Sequence, residues 1–142
     1  GDNHFFMTTT TGHAAQSMRD IEFAHQALWP ELDVQYVSVT DEWAQMAIAG
    51  PKSREVLASV VDADLSNEAF PFRTSRQIDI GYALLQCNRI TYVGELGWEI
   101  YAPTAHGLKL WDMLWEVGQP MGAVAAGLSD LEAKKPMTSN RF

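Results

Sequence analysis

The sequence predicts an α+β fold in which helices pack on a mostly antiparallel sheet. Strand-like and helix-like patterns are mixed along the chain, and short turns join the strands where a parallel sheet would need long crossovers. The 142 residues, 46% of them hydrophobic, can bury one substantial core. We therefore expect a single domain over residues 1–142, with an irregular tail at about residues 133–142.

The N-terminal part is expected to open with a strand and to continue as a helix. The strand prediction rests on HFFMTT at residues 4–9. After Gly12, apolar side chains recur every three or four residues, which is the helical period. The helix should end at Trp29, because the residue before a proline, here Pro30, avoids the helical region.

Two further strands and a second helix are predicted next. Residues 34–39 and 43–49 flank a short polar turn, so we expect them to pair as a hairpin. A helix should begin at the Gly-Pro pair at residues 50–51, since proline suits the first helical position. The polar connection after this helix is expected to return Phe70 and Phe72 to the core.

The C-terminal half is expected to contain a second hairpin and a third helix. Strands are predicted at about residues 78–91 and 97–102, with the chain reversing around VGELG. A strong apolar stripe predicts a helix over residues 105–117, which Gly118 ends. A weak strand is predicted near residues 122–126.

Composition argues against several classes of function. The net charge is −8 and the ten basic residues are scattered, unlike the basic patch of a nucleic-acid-binding surface. No segment has the length and apolar character of a membrane span. The single cysteine, Cys87, can form neither an internal disulfide nor a cysteine-based metal cluster, and is expected to pack in the core. A single cysteine without a disulfide partner suits a reducing cytoplasm. The four histidines show no metal-ligand spacing.

The most informative stretch is TYVGELGWEIYAP, residues 91–103. Glycine weakens a strand, so Gly94 and Gly97 indicate a bulge, a turn or the close approach of backbone or ligand. Glu99 lies among aromatic side chains, where a buried carboxylate needs a partner. Two interpretations stay open. One is a hairpin turn with solvated acids; the other is a site whose carboxylate accepts two hydrogen bonds from a planar, amino-bearing ring such as a pterin or guanine.

Four threonines at residues 8–11 precede the first helix. Their hydroxyls and amides could bind a ligand at the helix start, where the dipole favours anions. A strand end rich in β-branched residues explains them equally well. Thr10 is therefore retained as a candidate cofactor-binding residue.

Residues 89–100, RITYVGELGWEI, resemble the folate-binding signature of the aminomethyltransferase family. That family contains the glycine cleavage T-protein, dimethylglycine dehydrogenase and the α subunit of sarcosine oxidase. The segments HFFMTTTTGHAA, WPELDVQYVSVTDEWAQMAIAGPKSREVL and SNEAFPF are similar to the sarcosine oxidase branch. The resemblance therefore extends over about residues 3–132.

This resemblance implies tetrahydrofolate as the cofactor and no metal. It assigns Glu99 and Tyr92 to the pterin and Glu95 to the hairpin that shapes the pocket. Arg89 and Thr10 complete the candidate cofactor-binding residues, and no catalytic residue is assigned. The family reaction transfers a one-carbon unit, derived from a methylated amine or a glycine derivative, to the folate nitrogens.

Two departures from the family pattern limit what the resemblance implies. Thr-Thr replaces an Asn-Ala pair before the first helix, and the position of the family's aspartate falls near Ser17, which argues against glycine-cleavage transfer. GLSDLEAKKPMTSNRF stands where the family has GLxAxDxLRLEKG, so the arginine of that pattern has no clean match.

The family's C-terminal barrel and any flavin domain are expected on a missing segment or a partner. We therefore expect a fragment, and two functions remain open. The chain is either part of a folate-dependent enzyme, or a non-catalytic relative that serves in subunit assembly or self-association.

Overall fold

The computed structural model describes residues 3–80 and 82–127. Residue contacts divide the chain into two compact units, one ending at Glu42 and the other beginning at Trp43. The single domain proposed over residues 1–142 stays a prediction, and the predicted tail at 133–142 lies outside the described residues.

The first unit is built around one helix, α1, which spans Ala14–Leu28. A single 3-10 turn precedes it, in which the His13 N–H donates to the Thr10 carbonyl at 2.8 Å. The helix ends where the sequence predicts, with the Trp29 N–H bonded to the His25 carbonyl at 2.9 Å. None of the residues of α1 is buried.

The two strands predicted in this unit are wrong. The backbone of residues 4–10 and 33–39 is neither strand nor helix. Val34 and Val37 are 44% and 74% exposed. β-branched residues fit a half-buried pleated surface but do not create one, and no strand among the described residues pairs with these segments. Instead, His25 Nε2 lies 2.8 Å from the Leu32 carbonyl oxygen and tethers the chain after α1.

The second unit contains the sheet, and all of its pairings are antiparallel. Its strands are β1 (Trp43–Ala49), β2 (Ser75–Asp79), β3 (Leu84–Asn88) and β4 (Gly97–Pro103), in the spatial order β1-β4-β3-β2. The α+β class with a mostly antiparallel sheet is therefore confirmed.

The predicted pairing of the strands is only partly right. β1 has the predicted bounds but pairs with β4, because this register places Ile48 opposite Trp98 and Met46 opposite Ile100 on one apolar face. The long strand predicted at 78–91 is two strands, since the chain reverses after β2, with the Ile80 N–H donating to the Ala83 carbonyl at 3.1 Å. The predicted second hairpin is β3 paired with β4.

Among the described residues of the second unit, two segments form α-helices. α2 (Ser53–Ala58) begins later than predicted, because Gly50 has a φ of 120° and forms a turn that precedes the helix. α3 (Thr104–Gly118) matches its prediction within one residue at each end. The weak strand predicted at 122–126 is absent, since Gly122, at φ 93°, turns the chain and no strand follows in the described residues.

The core lies on one face of the sheet, between the strands and the two helices. Cys87 is fully buried there, and burial raises the pKa of its thiol to about 12, as expected for a packing residue. Phe70 is fully buried as predicted, but Phe72 is 63% exposed. The backbone turns at Arg73, whose φ is 64°, and leaves Phe72 at the surface. The fully buried hydrophobic side chains are Leu57, Phe70, Leu85, Cys87, Trp98, Ile100, Ala102 and Leu110.

Candidate functional site

The candidate site lies on the face of the sheet opposite the core. Side chains alternate along a strand, so Trp98, Ile100 and Ala102 enter the core while Glu99 and Tyr101 lie on the other side. We call this side the polar face. It includes Gln45, Ala47 and Ala49 of β1, Gly97, Glu99 and Tyr101 of β4, Gln86 and Asn88 of β3, and Ser75 and Gln77 of β2.

Glu99 is the carboxylate at the centre of the polar face. It is half-buried, and the Tyr101 hydroxyl, on a side chain only 5% exposed, donates to its Oε2 at 2.9 Å. The second oxygen, Oε1, accepts no hydrogen bond from the described residues. A half-buried carboxylate with one oxygen held and one available is well suited to accept hydrogen bonds from a ligand.

Small residues surround Glu99 on the side of β1. Ala47 lies opposite Glu99 in the ladder, and Ala49 lies opposite Gly97. On the side of β1, the polar face therefore carries little side-chain bulk beside the carboxylate.

The two glycines of the signature are explained by the backbone. A Cβ on Gly97 would lie 2.2 Å from the Ile48 carbonyl oxygen and 2.5 Å from Thr91 Cγ2, so only glycine allows β1 to come this close. Gly94 has a φ of 77°, which glycine adopts without strain. The bulge, turn or close approach expected there is thus a turn at Gly94 and a close approach at Gly97.

The loop between β3 and β4, residues 89–96, is anchored beside the site. The Leu96 carbonyl accepts hydrogen bonds from the Gly50 N–H at 2.8 Å and the Ser53 hydroxyl at 2.9 Å. Within the loop, the Thr91 hydroxyl donates to the Glu95 carbonyl at 2.9 Å. This loop leads into the N-terminal end of β4 and contains two predicted site residues. Tyr92 is 55% exposed, and Glu95 is also exposed.

Arg89 lies on the other side of the sheet from Glu99. It is 8% exposed, and its guanidinium carbon is 4.6 Å from the Trp98 ring centroid. Its Nη1 donates to the Phe70 carbonyl at 3.2 Å. Burial, followed by the nearby positive charge of Arg54, lowers the pKa of this guanidinium. These contacts give Arg89 a structural role under β4, and the structure does not bring its side chain to the Glu99 carboxylate.

The remaining predicted site residue, Thr10, belongs to the first unit. Its carbonyl accepts the hydrogen bond that closes the turn before α1. Among the other predicted site residues, Glu99 lies in β4, and Tyr92 and Glu95 lie on the loop that precedes this strand.

Sequence reasoning missed two polar residues beside Glu99. Tyr101 could have been found from the period-two alternation that places it on the face of Glu99. Asn88 lies opposite Glu99 on β3, and only the strand register reveals this. Among the described residues, no group of three or more His, Cys, Asp or Glu side chains could hold a metal ion. No helix in that part of the chain is long and apolar enough to cross a membrane.

Comparisons with known proteins identify relatives of this chain. The chain is 47% identical to the sarcosine oxidase subunit alpha of Rhizobium meliloti (strain 1021) over 132 residues, 92% of this chain and 13% of that protein. It is 37% identical to the mitochondrial sarcosine dehydrogenase of Mus musculus over 103 residues, 72% of this chain and 11% of that protein. It is 32% identical to the mitochondrial dimethylglycine dehydrogenase of Homo sapiens over 118 residues, 83% of this chain and 13% of that protein.

These relatives are much longer proteins, and the chain spans between 11% and 13% of their lengths. The model of the GCVT N-terminal domain matches residues 1–135, which include α1, the whole sheet and the loop beside Glu99. This match covers nearly the entire sequence, so the chain belongs to the GCVT N-terminal domain family.

Proposed function

We propose that this chain is the tetrahydrofolate-binding part of an aminomethyltransferase-type protein. The observation that carries the proposal is the half-buried Glu99 carboxylate, whose Oε2 accepts from Tyr101 and whose Oε1 accepts no hydrogen bond from the described residues. The names of the relatives, sarcosine oxidase and the sarcosine and dimethylglycine dehydrogenases, support a methylated amine or glycine derivative as the source of the carbon. Cytoplasmic location remains part of this proposal.

Glu99 would bind the pterin edge. A pterin carries a 2-amino group and a ring N–H side by side, and a carboxylate can accept from both. Each carboxylate oxygen has two lone pairs, so Oε2 can keep its bond from Tyr101 while it accepts a second one. The folate nitrogens supply the chemistry, which is capture of the one-carbon unit. Tyr92 and Glu95, on the anchored loop, would flank the ring and exclude water from it.

Oxidation of the amine needs a flavin, which we place on another domain or a partner. In this proposal the chain holds the acceptor of the carbon and carries out no redox step.

Calorimetric titration with tetrahydrofolate or folinic acid tests the proposal. We expect the wild type to bind, and Glu99→Gln to bind about tenfold more weakly or worse. In this variant an NH₂ group replaces one carboxylate oxygen, so a side-chain donor faces a donor of the ring. Glu116→Gln, which changes an exposed carboxylate on α3, is the matched control and should bind like the wild type. Absence of binding by the wild type, or equal binding by Glu99→Gln, would contradict the proposal.

A second candidate function is subunit assembly. It is favoured by large apolar side chains that are exposed in the first unit, including Phe23 at 71% and Trp29 at 51%. Exposed apolar surface, where it is contiguous, typically marks an interaction site. Size-exclusion chromatography with light scattering distinguishes the two functions. A dimer or larger species that binds no folate supports the assembly function, and a monomer that binds folate contradicts the assembly function.

A further inference from the structure

A second polar side chain of the polar face, Asn88, is oriented by a short hydrogen-bond network. Gln86 Nε2 donates to the Ser75 hydroxyl oxygen, and Ser75 Oγ lies 2.5 Å from Asn88 Oδ1. A hydroxyl has one proton to give. Because the amide nitrogen of Gln86 can only donate, the Ser75 proton goes to Asn88, whose carbonyl oxygen must be the acceptor. The Asn88 NH₂ group is left with no acceptor among the described residues.

Asn88 and Glu99 are direct partners in the antiparallel ladder between β3 and β4. Directly opposite residues share a face, with their Cβ atoms about 4.5–5.5 Å apart. Both side chains are half-buried. An amide with available donors thus stands next to a carboxylate with an available acceptor, and the two are not hydrogen-bonded to each other in the described structure.

This pair matches the edge of a 4-oxopterin. Along that edge the ring presents a 2-amino donor, the N3–H donor and then the 4-oxo acceptor. A carboxylate can accept from the 2-amino group and from N3–H. The 4-oxo oxygen then needs a hydrogen-bond donor that lies within a few ångströms of this carboxylate. A 4-amino ring presents a donor at that position and an unprotonated N3, so its pattern opposes both side chains.

We propose that Asn88 is a specificity-determining residue that donates its side-chain N–H to the 4-oxo group of the pterin bound by Glu99. This inference rests on the proposed folate function and adds a selection for 4-oxo over 4-amino rings. Such discrimination is strong when a buried polar group is left unpaired by the wrong ligand.

The test compares tetrahydrofolate with tetrahydroaminopterin, its 4-amino counterpart, by anaerobic calorimetry on the 142-residue chain. Asn88→Ala should bind tetrahydrofolate about tenfold more weakly, the equivalent of one lost hydrogen bond. It should bind the 4-amino ligand at least as tightly as the wild type does, because the opposing donor is gone. Asn88→Asp keeps an acceptor for Ser75 but replaces the donor, so its preference should shift further toward the 4-amino ring. Glu116→Gln, at an exposed position on α3 away from the polar face, is the control and should keep the wild-type preference.

The possible outcomes separate this inference from the function on which it rests. Wild-type binding that depends on Glu99, with an unchanged ligand preference in both Asn88 variants, overturns the role of Asn88 alone. A loss that is equal for both ligands in Asn88→Ala shows a structural role and also overturns it. No binding of either ligand by the wild type overturns the folate function, and the selection with it.

Discussion

At the scale of single residues, close approach and burial decide what each side chain of the signature can do. Gly97 permits β1 to lie against β4, while Gly94 only turns the loop. Arg89 shares the signature with Glu99, yet its guanidinium packs on Trp98 on the far side of the strand. Residues that are adjacent in a motif therefore divide between the structure of the sheet and its binding face.

Gly97→Ala should destabilise the chain more than Gly94→Ala does. The added Cβ at Gly97 meets a backbone oxygen at 2.2 Å, which cannot rotate away, so overpacking should cost about 3 kcal/mol or more. At Gly94 there is nothing within 4 Å, and only the positive φ is unfavourable, by about 1–2 kcal/mol. Urea unfolding followed by circular dichroism measures both, and equal midpoints for the two variants would contradict the close-approach argument.

Cys87 should make the chain less stable in alkaline solution. Its folded pKa of about 12 lies above the ordinary value of 9.0, so the unfolded thiol loses its proton first as the pH rises. The unfolded state then binds fewer protons, and the free energy of unfolding falls between about pH 9 and pH 12. A thiol reagent should label native Cys87 slowly and the urea-unfolded chain rapidly.

Cys87→Ala supplies the control for this pH dependence, since it removes the titrating group and should flatten that part of the stability profile. Rapid labelling of the native thiol would show that it is not buried as described.

At the scale of elements, the sequence predicted helices better than strands. α1 and α3 follow from a local period and from local stop signals at Trp29 and Gly118, and both were predicted within a residue or two. The segment 34–39 has the composition of a strand, but whether a strand forms depends on a partner far along the chain. β1 takes β4 as that partner, and local patterns contain no information about this choice.

The same long-range dependence limits prediction of the site. Glu99, Tyr92 and Glu95 could be predicted because the signature is contiguous in sequence. Asn88 could not, because only the register of β3 against β4 places it beside Glu99.

Proline substitutions distinguish a true strand from a segment with strand-like composition. Ala47→Pro inserts a residue without an N–H into β1 and should cost about 3 kcal/mol or more. Val37→Pro falls in a segment without strand structure, where the side chain is 74% exposed, and should cost less than about 1 kcal/mol. The two unfolding midpoints in urea measure the difference. A large loss in Val37→Pro would indicate that residues 34–39 do form a strand.

At the scale of the whole molecule, the two units differ in how much they bury. The second unit has a closed core on one side of a four-stranded sheet. The first unit has a helix without a buried residue and several large apolar side chains at the surface. Hydrophobic burial supplies most of the stabilisation of a folded segment, so the two units should not be equally stable.

Hydrogen exchange followed by mass spectrometry tests this difference on the intact chain. Amides of α1 should exchange about 100-fold faster, or more, than amides of β4 after correction for intrinsic rates. The reason is that opening α1 exposes little buried apolar surface, whereas opening β4 breaks two ladders and uncovers Trp98 and Ile100. Low urea should speed exchange in β4 and leave α1 nearly unchanged, because the effect of urea scales with the surface exposed on opening. Equal protection of α1 and β4, with the same urea dependence, would show instead that both units unfold as one cooperative body.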